Sequence, residues 1–535
     1  MEFDYVIVGG GSAGSVMAAR LSEDPGVTVC LLEAGGEGRD FFVRAPLGTV
    51  LMLPGRPLKL NNWMFRTEPQ AALGGRRGFQ PRGRALGGSS AINAMLYIRG
   101  HRTDYDDWVR AGCDGWGFDD VLPFFLKAER NSRGAGALHG DSGPLQVGDQ
   151  SSPCAISRAF IAAAGLLQVR ETDDFNGPEQ EGAGLYQVTQ FFDGEKRGER
   201  CSAAAAYLHP VMGRPNLHVV TGAHATKVVL EGRRATGVLY RRGRRPMQVS
   251  ARREVIVSAG AFGSPQLLML SGIGPGAELS RHGIPVVHEL SGVGRNLQDH
   301  PDFIWSYKTA SREGIGLSPS GTLAILRAIS RWRRDGTGLV STPGAEAGAF
   351  LRSDPALDRP DLQLHFVVGI VDEHARKLHP GYGYSCHVCV LRPHSRGEVG
   401  LKSPDPLAPP RIDPRFLSDE RDMALMLKGA KMTRAIMEAE ALAPYRGREL
   451  YSAGKTTDEE ILAEIRARCD TIYHPVGTCR MGRDEGAVTT PDLKVKGVGG
   501  LRVVDASVMP TLIGGNTNAP TIMIAEKISA AMRAA

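Results

Sequence analysis

The stretch FDYVIVGGGSAGSVMAARLSEDPGVTVCLLEAG, residues 3–35, limits the fold more than any other part of the chain. Asp4 to Val8 is an apolar, β-branched run of strand type that leads directly into Gly9-Gly10-Gly11-Ser12-Ala13-Gly14. A helical apolar pattern follows to Leu21, and a second apolar run, Val27 to Leu32, closes on Glu33. Strand, G-x-G-x-x-G, helix, strand and acid, in that order, make a βαβ unit of the dinucleotide-binding type. Gly9 serves the tight turn, Gly11 the approach of backbone to a pyrophosphate, and Gly14 the close packing of helix on strand. The helix start at Ser12 and Ala13 offers free N–H groups to phosphate. Glu33, followed by Ala34, stands where ribose hydroxyls need an acceptor.

A second motif overlaps the first. Gly10 to Gly14 also reads G-x-S-x-G, the nucleophile elbow of α/β-hydrolases, with Ser12 as nucleophile. That elbow follows several earlier strands, whereas only a few residues precede this turn. The hydrolase alternative also leaves Glu33 without a task, and it predicts a colourless protein.

The 535 residues exceed the usual size of one hydrophobic core, so about two domains are expected. A net charge of +6 over this length is too mild to argue for nucleic-acid binding. The basic run Arg241-Arg242-Gly243-Arg244-Arg245 reads as a solvated hairpin turn, with a membrane-surface contact as the minority alternative. Of the eight cysteines, Cys386 and Cys389 form C-x-x-C inside a strand-like segment, where residues three apart face opposite ways. No second pair has metal spacing, so no metal site is expected. Reduced thiols suit a cytoplasmic protein. Neither a signal peptide nor an apolar run of the ~20 residues that span a bilayer is read. Peripheral attachment to the inner face of the cytoplasmic membrane stays open.

Further along, PRGRALGGSSAIN, residues 81–93, reads as a second loop of backbone donors for a phosphate or a cofactor ring. Asp104 to Lys127 is helical, and its rings Tyr105, Trp108, Trp116, Phe124 and Phe125 suit a core. Asn216 to Val257 alternates as a β-meander, whose last strand joins the parallel sheet. A helix is expected next, with Ser264 as N-cap and Pro265 at its first position. His300, closing the loop SGVGRNLQDH, reads as a structural hydrogen-bonding group. Between Pro301 and about Arg466 the strand-like segments 361–368 and 384–391 and an amphipathic helix, 423–442, suggest a second domain that supplies the substrate side. In the C-terminal block an acid, Asp505, ends a strand, where α/β sheets meet ligands. A final helix, with Pro520 at its first position, aims its positive end at whatever precedes it. Such an end stabilises the negative charge that a flavin ring gains on reduction.

These blocks together resemble the glucose–methanol–choline family of FAD-dependent oxidoreductases along essentially the whole chain. The resemblance is carried by GRALGGSSAIN, GAFGSPQLLMLSGIG, YHPVGTCRMG, VVDASVMP and GNTNAPTIMIAEK. It implies a fold of α/β class. A Rossmann-like FAD-binding domain (parallel sheet plus β-meander) would take residues 1–155, 200–302 and 468–535. An α+β substrate domain on an antiparallel sheet would take 156–199 and 303–467.

For the site, the resemblance implies that His474 is the base, taking the alcohol proton while hydride passes to flavin N5. Asn518 is expected to pair with it; many relatives have a second histidine there. Expected FAD contacts are Gly9, Gly11, Ser12, Ala13, Gly14, Glu33 and Ala34 in the first unit, and Arg84, Gly87, Gly88, Ser89, Asn93 and Ala94 in the second loop. Val228, Asp505, Ala506, Asn516 and Thr517 complete them. Some choline oxidases tether FAD through a histidine where this chain has Ile92, so FAD is expected to be non-covalent.

AINAMLYIRGHRTDYDDW, SRGEVGLKSPDP and the C-terminal block are most similar to bacterial membrane-associated primary alcohol dehydrogenases, which pass electrons to a quinone or the respiratory chain. The expected reaction is therefore oxidation of a small primary alcohol to an aldehyde with a quinone or other electron acceptor. Alternatives within the class are a choline-, polyol- or sugar-directed dehydrogenase and an oxygen-reducing oxidase. A flavin-binding photochemical or sensor protein is the alternative from another class. Trp63, Trp305 and Tyr384 could form an aromatic cage for a choline-like cation.

Overall fold

The computed structural model describes residues 1–55 and 59–534. Strand β1 (Glu2–Val8), helix α1 (Ser12–Leu21) and strand β2 (Val29–Glu33) form the opening unit, with β1 and β2 parallel. β1 and β2 are apolar on both faces because both faces are covered, the usual condition of parallel strands. A short strand β3 (Gly182–Leu185) belongs to a different sheet. The chain then returns as β4 (Leu217–Thr221), β5 (Ala223–Glu231), β6 (Arg234–Arg242) and β7 (Arg245–Val257).

β7 joins two kinds of sheet. Its first half pairs antiparallel with β6, and its second half pairs parallel with β1. The basic run at 241–245 is the tight turn between β6 and β7. Helix α2 (Gly260–Leu270) follows. It starts four residues before the expected N-cap, so Ser264 and Pro265 lie within it. Ser264 is used instead to accept from Ala259 N and to donate to Asp505.

The second sheet is antiparallel. It contains β8 (Pro301–Thr309), β9 (Gly316–Leu317), then, after helix α3 (Pro319–Asp335), β10 (Ala345–Leu351), β11 (Leu362–Val367) and β12 (Gly381–Val390). β13 (Asp470–Thr471) completes one edge, and the order is β13-β8-β12-β11-β10-β3, with β9 on β12. Alternation decides which side chains meet what. Leu362, Leu364 and Phe366 of β11, with Tyr384, Cys386 and Val388 of β12, pack in the core beneath the helix Glu420–Glu438. Gln363, His365, Ser385 and His387 occupy the other face.

The chain ends back at the first sheet. β14 (Leu501–Val503) pairs parallel with β7, and helix α4 (Asn518–Ala534) packs on α1. Arg20 of α1 meets the fully buried Glu526 of α4 at 2.7 Å. The carboxyl ends of β1, β2, β7 and β14 therefore open on one side. That is where an open α/β sheet binds ligands.

Candidate active site

A cavity of about 1350 Å³ lies between the two sheets, and the carboxyl ends of the parallel strands form one wall. This wall is largely backbone. Gly14 cannot carry a side chain, since a Cβ there would lie 1.8 Å from Gly9 O. Gly88 has φ +53, and a Cβ on it would lie 2.7 Å from Gly11 Cα, so the two glycine loops touch main chain to main chain. Gly9, Gly11, Ser12, Ala13 and Ala34 line the cavity beside them, as do Ser89 and Ala94. Gly14 and Gly87 lie behind this lining; Gly87 N donates to Gly10 O at 2.7 Å and holds the loops together.

Polar groups on this wall fit a dinucleotide. Glu33 accepts from Gly10 N at 2.9 Å and Gly35 N at 2.7 Å, while burial pushes its pKa up to about 7. Arg84 lies over the Trp63 ring at 4.6 Å. Its Nε and Ser258 Oγ are buried without a protein partner, as groups waiting for a ligand are. Asn93 Oδ1 accepts from Met95 N at 3.0 Å and Arg200 at 2.9 Å. Asp505 ties β14 to α2, accepting from Gly260 N at 2.8 Å and Ser264 Oγ at 2.5 Å. Ala506 and Thr517 line the cavity next to it. The size, the backbone cradle and the orphaned groups fit FAD.

The facing wall is made of side chains. His474 is 7% exposed, and its Nε2 lies 3.1 Å from Asn516 Nδ2. Its Nδ1 lies 2.9 Å from His300 Nδ1, and His300 Nε2 lies 3.0 Å from Leu391 O. A carbonyl only accepts, so His300 carries its proton on Nε2 and its Nδ1 is an acceptor. His474 therefore holds a proton on Nδ1, which leaves the Nε2 lone pair to face Asn516. Gln363 Nε2 donates to Asn516 Oδ1 at 3.1 Å, which fixes the amide with its N–H groups toward His474.

The backbone around His474 is clamped. His474 N donates to Asp299 Oδ1 at 2.8 Å, and Arg82 donates to Tyr473 O at 2.7 Å. Tyr473 sits at φ +76, a conformation that costs a non-glycine residue about 1–3 kcal/mol. Burial is the main cause holding the His474 pKa well below the ordinary imidazole value, helped by His300, His365 and Arg82. Burial likewise takes His300 and His365 down to about 3 and Asp299 up to about 7.

Three expectations need correction. The amide that meets His474 is Asn516, not Asn518. Asn518 is the first residue of α4, where its side chain turns toward α1 and accepts from Ser12 Oγ at 2.7 Å. Asn516 lies in the link before the helix, after Gly515 at φ +157. Val228 does not reach the cavity: it is fully buried, and its N–H is spent on Ser271 Oγ at 2.8 Å. The same strand meets the cavity at Ala223, His224 and Ala225. Trp63, Trp305 and Tyr384 do not form a cage, since only Trp63 lines the cavity and the other two belong to the core of the second sheet.

Sequence reasoning missed His300 as a contact of His474, and it missed His365 and Gln363 altogether. His365 lines the cavity 3% exposed with both ring nitrogens unpartnered. The alternation of LQLHFV placed Gln363 and His365 on one face, but not which face looks inward.

A GMC oxidoreductase model matches residues 3–302, and the C-terminal GMC oxidoreductase model matches 393–525. The chain is 48% identical over 532 residues to an alcohol dehydrogenase [acceptor] of Pseudomonas putida, covering 98% of this chain and 94% of that one. It is 42% identical over 537 residues to an oxygen-dependent choline dehydrogenase of Burkholderia ambifaria, covering 99% and 94%. Among solved structures, pyridoxine 4-oxidase from Mesorbium loti superposes with a TM-score of 0.89 at 34% identity, covering 100% and 99% of the two chains. A formate oxidase superposes with a TM-score of 0.90 at 27% identity, covering 100% and 98%. A parallel dinucleotide-type sheet, an antiparallel second sheet and these full-length likenesses have one explanation: the chain belongs to the GMC oxidoreductase family.

Proposed function

We propose that the protein oxidises a primary alcohol to an aldehyde, with non-covalent FAD and a quinone-type electron acceptor. The observation that carries this reading is the Leu391–His300–His474 chain, which leaves an unprotonated Nε2 beside the Asn516 amide. An alcohol hydroxyl that replaces the 3.1 Å contact between them donates its proton to His474 Nε2 and accepts from Asn516 Nδ2. His474 then carries the proton as the carbon gives up hydride. Its depressed pKa keeps it neutral, and thus able to act as base, down through the mildly acidic range. When bound, the flavin supplies the hydride acceptor. Ile92, at the position where a histidine would tether the cofactor, has no nucleophilic atom.

The cavity lining favours an alcohol over a choline-like cation. Among the described residues its only carboxylates are Glu33 and Asp505, both engaged on the cofactor wall. Toward the mouth it is aliphatic, with Leu47, Val50, Ile315, Ile370 and Leu378, and cationic, with Lys377. Oxygen as the acceptor is the second reading, supported by the oxidases that share the fold.

The test is turnover of an alcohol series with a quinone-like dye and, separately, with oxygen alone. His474→Ala should lose about 10²–10⁴-fold in kcat while keeping its yellow colour. Near-normal activity would remove His474 as base, and rapid peroxide formation without dye would replace the acceptor.

A further inference from the structure

Three arginines are buried among the described residues, and two of them meet an acid. Arg99 pairs with Glu129, and Arg502 lies 2.5 Å from Glu254. Arg200, 2% exposed, meets none. Its Nε donates to Val43 O at 3.0 Å, Nη1 to Asn93 O at 2.5 Å and Asn93 Oδ1 at 2.9 Å, and Nη2 to Thr49 Oγ1 at 2.6 Å. All of these acceptors are neutral. Glu199, the preceding residue, is paired instead with Arg44 at 3.1 Å. Burial lowers the Arg200 guanidinium to about 9, with no carboxylate to hold it up, so at neutral pH it is still a cation. A buried charge without a counter-charge is costly. The missing anion is therefore to be sought in what the cavity binds.

Thr49, Ser90 and Asn93 line the cavity, so Arg200 stands directly behind its wall. The second glycine loop runs along this wall between two ends. At Gly88 it touches Gly11, beside the start of α1 where phosphate is held. At Ala94 and Met95 it packs with Ile472 and Tyr473, the two residues before His474. Arg200 grips the loop at Asn93, so its charge is set at the His474 end and not at the phosphate end. A flavin gains negative charge there only on reduction, and charge near its N1 and N5 tunes that gain. In the low dielectric of a buried site the field of a guanidinium carries across the layer that Asn93 forms.

We propose that Arg200 is the fixed counter-charge of the reduced flavin: from behind Asn93 it favours the anionic reduced ring over the neutral oxidised one, and so sets how readily hydride is accepted. It is a positioning residue, acting through its field and its hold on Asn93. The inference rests on the flavin reading of the site.

The test uses the holoenzyme and needs no substrate. It reads the two-electron reduction potential of the bound flavin and the affinity for sulfite, whose sulfur lone pair forms a bond to flavin N5 and leaves the ring an anion. Wild type should form this adduct. Arg200→Gln, without the charge, should bind sulfite ~10-fold more weakly or worse and lower the potential by about 30 mV or more, the equivalent of tenfold for two electrons. Arg200→Lys keeps the charge while losing most of the hydrogen bonds, and should stay within about threefold of wild type. Thr49→Asp leaves Arg200 in place and hands it a carboxylate where the hydroxyl now lies. It should lose sulfite affinity as Arg200→Gln does, whereas Thr49→Asn should not; this pair decides should Arg200→Gln not fold. A wild type that holds flavin but refuses sulfite, equal shifts in the Gln and Lys variants, or weaker FAD binding with an unmoved potential would each overturn the proposal, the last by assigning the charge to the phosphates. A colourless wild type would overturn the flavin reading and the proposal with it.

Discussion

The two walls of the cavity are made of different material. One is main chain: two glycine loops in contact, helix starts and strand ends, with Glu33 closing it by bonds to Gly10 and Gly35. The other is side chain: His300, Gln363, His474 and Asn516 come from four separated segments and reach each other through one hydrogen-bonded chain. A main-chain wall tolerates no added atoms. A side-chain wall tolerates small changes of volume but depends on where each proton sits.

The sharpest break between them is on the main-chain side. Gly88→Val forces a branched side chain into φ +53 and toward Gly11, so the purified protein should be colourless, its FAD affinity lowered at least ~100-fold (about 2.7 kcal/mol). An absorbance spectrum decides; full flavin content would mean the loops separate easily.

Next in size, His300→Phe leaves the Nδ1–H of His474 without its acceptor and frees the tautomer. We expect kcat/KM to fall by about 10²-fold with flavin content intact. The acid limb of its pH profile should move down, because His300 is itself uncharged above about 3 and its Nδ1 is the acceptor that favours a protonated His474, while burial, the main cause depressing His474, remains. His300→Gln, which can still accept, should recover part of the rate. A loss with an unmoved pH profile would make His300 a packing residue only.

Smaller again is the contrast between two amides. Asn516→Ala should cost about 10-fold or more in kcat/KM as one buried hydrogen bond is lost, whereas Asn518→Ala, at the start of α4, should cost less than about fivefold. The reverse order would restore the pairing expected from sequence.

The smallest effect is thermodynamic. His365 is buried and neutral with its pKa at about 3, so below its unfolded value near 6.5 the unfolded chain binds a proton that the folded one refuses. Its contribution to stability therefore falls as pH drops below about 6.5. Asp299, raised to about 7, acts in the opposite direction as pH rises from about 4 to about 7, so wild-type curves alone mix the two. His365→Phe, compared with wild type by denaturant midpoint at pH 7 and pH 5, should gain about 1.4 kcal/mol per pH unit on acidification. A constant difference would show that His365 titrates normally in the folded state.

The same division explains what was legible in the sequence. Spacings of a few residues fix a βαβ turn, which is why the sequence puts Gly9, Gly11, Gly14 and Glu33 at the turn and strand end where the structure has them. The second glycine loop was recognised for the same reason, although its direct contact with the first could not be. The antiparallel alternation of β11 and β12 was readable, but its inward face was not, so Gln363 and His365 escaped notice. The block YHPVGTCRMG pointed to His474 with Asn518 beside it, whereas the amide in contact with His474 is Asn516, two residues earlier. In extended chain that step keeps a side chain on its face, but here a helix begins at Asn518 and turns its side chain to Ser12 instead of His474, although both amides line the cavity. Val228 failed similarly: which part of β5 meets the cavity is set by how far that strand runs past its neighbours.

The lock between α1 and α4 also has a temporal side. Ser12 and Arg20 wait for Asn518 and Glu526, about 500 residues later. At translation speeds of about 5–20 residues per second, that is roughly half a minute to two minutes. Throughout that interval the nascent chain has its first glycine loop but no closing helix, so it must be kept from aggregating by other means. The wall that α1 shares with α4 is complete only once α4 has been made.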